Sequence, residues 1–141
     1  MIVLDTDSLT LLEWKGSPAA EALYAELKRR AEILTTTIIS FEEQMRGWTA
    51  YLAKAKTLTK QVEAYRFLNE TLQLFCGVHI LPFDDAAAER FQDLRRHRLR
   101  LGTMDLKIAS ISLEHDATLI TRNSTDFHRV PGLKVEDWTK G

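Results

Sequence analysis

Residues 104–123 read MDLKIASISLEHDATLITRN. The first part has helical character, with Asp105, Ile108, Ala109 and Ser112 on one face. It runs into ATLITR (117–122), a strand pattern that is apolar for most of its length and stops just before Asn123. A helix feeding a strand of this kind predicts a parallel sheet covered on both faces, because only a strand buried on both sides dispenses with polar alternation.

The same alternation extends outward in both directions. Strands are expected over IVLD (2–5), ILTTTIIS (33–40) and VHILPF (78–83), and a last one over LKVEDW (133–138). Helices are expected over 18–31, 41–55, 61–75 and 85–99, the third with Val62, Tyr65, Leu68, Leu72 and Phe75 at helical spacing. The prediction is an α/β fold, three layers α/β/α around a mostly parallel sheet of four to five strands, in a single domain over 1–141.

Composition narrows the class. Lys and Arg number 19 against 20 Asp and Glu, a net charge of -1 that argues against a uniformly basic nucleic-acid binder. The single cysteine, Cys76, excludes an internal disulfide, favours a cytoplasmic home, and reads as a small buried apolar group. Asp5 and Asp7 interrupt the place where a signal peptide would be apolar, and no run approaches the length of a membrane span.

In parallel sheets, ligands bind beyond the carboxyl ends of the strands. MIVLDTDSL (1–9) ends its apolar run on Asp5, with Asp7 two residues on. Over the low-dielectric core, an acid must be paired, hydrogen-bonded or bound to a cation, and an Asx turn or helix cap using Asp7 or Ser8 is the plainer alternative. Ser40 and Glu43 match a capping box, while Gly47 and Ala50 leave open space on the face of Glu43. Asp105 falls in the first turn of its helix, and Asn123 and Asp126 follow the fourth strand. Asp5, Glu43 and Asp105 come from three separate elements that a parallel sheet would gather at one edge. Clustered carboxylates repel unless they are protonated or bridged, and an all-oxygen set without Cys or His matches Mg²⁺ or Mn²⁺ rather than zinc.

Four stretches, IVLDTDSLTLL, TTTIISFEEQMRGW, LGTMDLKIASISLEHDATLITRNSTDF and VPGLKVEDW, together resemble the PIN-domain ribonucleases, in particular the VapC-like toxins of toxin–antitoxin pairs. The resemblance implies a metal-dependent endoribonuclease whose catalytic, metal-holding acids are Asp5, Glu43 and Asp105. Glu43 rather than Glu42 is implied because the family's acid stands four residues before a glycine, here Gly47. A fourth family acid often occupies the position of Asn123, where Asp126 can compensate through a water. Asp7 stands where many relatives have Asn. Thr6 is a candidate to orient water or phosphate, as are Ser8 and Thr121. The resemblance further implies an RNA substrate, a homodimer built with the helices after the second strand, and a small antitoxin whose tail enters the acidic groove.

RRHRLR (95–100) offers Arg95, Arg96, Arg98 and Arg100 as an RNA-contacting patch beside the acids, and Arg46 and Trp48 flank Glu43 as candidates for a phosphate and a base. Two other readings fit parts of the pattern. Asp5-Thr6-Asp7 matches the DxD of a Mg²⁺ phosphatase, although the later acidic pair that chemistry needs is missing. A catalytically degenerate PIN-like interaction module would explain Asn123.

Overall fold

The computed structural model describes residues 1–14 and 16–140. Each helix start has a local cause. Asp5 ends β1 (Ile2–Leu4) and caps α1 (Thr6–Glu13) by accepting from the Ser8 amide at 2.8 Å. Ser17 and Pro18 open α2 (Pro18–Arg30), which closes at Ala31 in the left-handed conformation (φ 51°). β2 (Thr35–Thr37) hands over to α3 (Ile38–Lys54) through the Thr37 hydroxyl, and Thr57 caps α4 (Leu58–Cys76). β3 (His79–Leu81) is followed by α5 (Asp85–Arg96), which Asp84 caps. Then come α6 (Thr103–Glu114), β4 (Thr118–Ile120), the one-turn α7 (Ser124–Phe127) and β5 (Lys134–Glu136).

Every strand pairing is parallel. β1, β4 and β5 form one ladder in that order, and β2 pairs with β3 in a second. No ladder joins β1 to β2 among the described residues. The Thr36 hydroxyl instead donates to the Leu4 carbonyl at 2.8 Å across that seam.

The strands alternate between two cores. Val3 and Leu119 point to one that α5 and α6 complete with Leu94, Ile108 and Ile111. Ile2, Leu4 and Ile120 point to the other, completed by Leu9, Leu23, Leu27 and Phe75 from α1, α2 and α4. This is the expected α/β/α layering, with five short parallel strands.

Several local expectations are corrected. The strand expected over 33–40 ends at Thr37. Once Thr37 caps the Ser40 amide, Ile38–Ser40 belong to the helix, so Ser40 and Glu43 form no capping box. The expected α4 stripe is not a core face: Phe75 is buried, but Val62, Tyr65 and Leu72 are exposed, as is Leu58. Cys76 is exposed rather than buried. Among the described residues no helix is long and apolar enough to cross a membrane.

Candidate active site

The acids gather at the carboxyl ends of β1, β2 and β4. Asp5 is buried beneath its own cap, and desolvation raises its pKa. Hydrogen bonds from Thr121 and Ser8 work against that rise, and the negative charge of Asp7 adds to it. The cap and the site are thus the same residue.

Glu43 points back from α3 toward the start of α1, where the Thr6 hydroxyl donates to its Oε1 at 2.6 Å. Thr6 Oγ1 is also 2.9 Å from Ser40 Oγ. Glu42, one position away, is turned outward and pairs with Arg46 at 2.6 Å. Gly47 leaves open space, since a Cβ built there would meet nothing within 4 Å.

Asp105 is half-buried in the first turn of α6. Its carboxyl is pushed up to about 6, first by desolvation and then by the negative charges of Glu43, Asp5 and Asp126. These acids, from β1, α3, α6 and α7, therefore share one field. Among the described residues no three His, Cys, Asp or Glu side chains lie close enough together to hold a metal ion. The donor chemistry nevertheless fits a hard divalent cation, being oxygen only and rich in carboxylates.

The remaining candidates divide. Asp126 contributes to the field at Asp105, whereas Asn123 is an exposed N-cap of α7 whose side chain makes no capping bond. Asp7 is exposed beside the site. Ser8 is structural, its hydroxyl bonded to the Ile120 carbonyl at 3.2 Å, and Thr121 accepts from the Asn123 amide at 2.9 Å while also bonding Asp5. Trp48 stacks one face on Phe67 at 4.6 Å between α3 and α4, with its indole N–H buried.

The basic run is placed differently from the expectation. Arg95, Arg96, Arg98 and Arg100 are exposed at the end of α5, and the hollow beside them reaches α6 through Thr103 and Lys107. Both are two positions from Asp105, about 200° around the helix, so the patch faces away from the acids. Lys107, which lines this hollow, went unnoticed in the sequence because a lone lysine inside an amphipathic helix carries no signal. A larger hollow, about 670 Å³, lies between α1 and α2, is lined by Leu11, Leu12, Tyr24 and Leu27, and contains none of the candidate acids.

Comparison with known proteins places the fold. Ribonuclease VapC1 of Rickettsia felis is 27% identical over 139 residues, covering 95% of this chain and 93% of its own. The tRNA(fMet)-specific endonuclease VapC of Shigella flexneri is 32% identical over 66 residues, covering 44% of this chain and 50% of its own. Among solved structures, VapBC2 from Rickettsia felis, bound to a DNA fragment from their promoter, superposes with a TM-score of 0.74 at 25% identity, covering 98% of this chain and 99% of that one. The PIN domain family model matches residues 2–133. With the family pattern running through nearly all of its length, the chain belongs to the PIN domain family.

Proposed function

We propose that this chain is an endoribonuclease that hydrolyses RNA phosphodiester bonds at the acidic centre of Asp5, Glu43 and Asp105, with Mg²⁺ or Mn²⁺ as cofactor. The observation that carries the proposal is the setting of Asp105, whose carboxyl is pushed up to about 6 first by burial and then by the negative charges of Glu43, Asp5 and Asp126. A site that strained at neutral pH is relieved by a divalent cation, and relief of this kind suits a metal centre better than a structural one. Asp5, Glu43 and Asp105 would hold the ion. Bound there, it would supply a water of lowered pKa and positive charge against the phosphorane.

The chain's own residues then have distinct tasks. The Ser8 amide fixes Asp5, the Thr6 hydroxyl aims Glu43, and Asp126 adds negative charge from α7. The reaction needs no covalent intermediate, and direct attack by water on phosphorus is the route. The phosphatase reading gives way to the family match.

Toxin–antitoxin pairing is the biological setting we propose, supported by the VapC relatives and the VapBC complex. A small antitoxin would be bound through an Arg or Lys on its tail, drawn into the acidic groove. The exposed row of Leu58, Val62, Tyr65 and Leu72 on α4 supports a homodimer through that helix.

The test incubates purified protein with tRNA, rRNA and mRNA, with and without Mn²⁺, beside Asp5→Ala. Metal-dependent cuts that vanish in the variant are expected, with tRNA the first substrate to try given the Shigella relative. Intact RNA in every tube would instead favour a degenerate interaction module.

A further inference from the structure

We propose that the hollow between α5 and α6 anchors one nucleotide of the RNA chain, on the side of α6 turned away from Asp105. The inference rests on the reading of RNA as substrate. The hollow measures about 390 Å³, within the range of small-molecule sites, and joins an apolar lining of Phe91, Leu99 and Leu106 to the cations Arg95, Arg98 and Lys107. An apolar surface next to converging positive charge suits a base with its phosphate.

The charges there are not balanced within the protein. Arg95 lies over the Phe91 ring at 5.5 Å, and Lys107 over the same ring at 5.8 Å, so two cations from different helices are docked on one aromatic. Asp93 is engaged by Arg96 at 3.3 Å, and Arg95, Arg98 and Lys107 form no ion pair among the described residues. The uncapped first turn of α6, whose Thr103 lines the hollow, adds the positive end of a helix dipole.

Arg98 makes the assignment sharper. It holds φ at 50°, the left-handed region that suits glycine, just after the end of α5. Ala31 and Asp116 carry the same strain at other helix ends, and at Arg98 it coincides with a guanidinium at the hollow's edge.

That strain supplies the test. Arg98→Gly relieves the backbone, so weakened RNA binding cannot be blamed on misfolding. Anisotropy of a short labelled single-stranded RNA is followed in EDTA, which arrests cleavage. Arg98→Gly is expected to melt no lower than the parent while its Kd rises about three- to tenfold and its salt slope falls by about 0.7, with a further fall in Arg95→Ala/Lys107→Ala. Unchanged Kd and slope in both variants, with the parent still cutting RNA, would overturn the anchor and leave the nuclease standing. A parent that neither binds nor cuts RNA would remove the nuclease reading and the anchor with it. Loss of duplex DNA binding, or of saturable AMP binding, with RNA affinity unchanged would reassign the hollow and overturn the proposal.

Discussion

Thr6 and Glu43 are 37 residues apart in the chain and 2.6 Å apart in space, hydroxyl to carboxylate. The bond ties the start of α1 to α3, and with them two of the three elements that carry the central acids. Thr6→Val keeps the shape and removes the donor. Activity is expected to fall about 10- to 100-fold, in kcat more than KM, because outer hydrogen bonds set ligand orientation. Steady-state kinetics at saturating Mn²⁺ checks it; wild-type kcat would assign Glu43's orientation to packing alone.

Asp105 makes stability depend on pH in an unusual direction. Its carboxyl moves from 3.8 to about 6 on folding, so the folded state holds its proton more tightly than the unfolded one. The associated stability is fully present below the unfolded value and is lost as pH rises through about 6. With chelator present, the protein should melt higher near pH 5 than near pH 7.5. Asp105→Asn should flatten that difference, raising stability at pH 7.5 by about 1–2 kcal/mol after allowance for partial exposure while abolishing cleavage. A melting series with EDTA and with Mn²⁺ reads both effects.

Asp126 and Asn123 can be separated by exchange of chemistry. Asp126 acts on Asp105, whereas Asn123 is exposed. Asp126→Asn is expected to raise the Mn²⁺ concentration for half-maximal cleavage several-fold. Asn123→Asp should change it little. The reverse order would place the fourth acidic position of the family at 123 after all.

Much of this was readable in the sequence because burial dictates it. Val3 and Leu119 must be apolar to meet one core, and Ile2, Leu4 and Ile120 to meet the other, which is why those strands show no alternation. Asp5 stood out because a carboxylate ending an apolar run needs a partner, which the Ser8 amide supplies, whereas Glu43 and Asp105 stood out through the family resemblance. What was not readable depends on geometry between elements. Ile38 and Ile39 are β-branched, yet the Thr37 cap turns them into helix. The α4 row has core spacing, but α4 packs inward through Ala64, Thr71 and Phe75 and leaves Val62 and Tyr65 outside. The basic run adjoins Asp105 along the chain and departs from it by about half a turn of α6.

Gly47 gives a prediction of the opposite sign for fold and function. A methyl there meets nothing within 4 Å, so Gly47→Ala should stabilise α3 by about 0.4–1 kcal/mol, or about 2–4 °C in Tm. If the open space beside Glu43 admits RNA, KM should rise in the same variant. Thermal melting and initial rates on one preparation decide it.

The seam between β1 and β2 bears on all of these. Asp5 belongs to one ladder and Glu43 follows the other, with the Thr36–Leu4 bond between them. The gap separating those two carboxylates is therefore governed by side-chain fit rather than by a continuous run of amide-to-carbonyl links. Exchanging a methyl or a hydroxyl along that line would retune the spacing of the two carboxylates and leave each acid untouched.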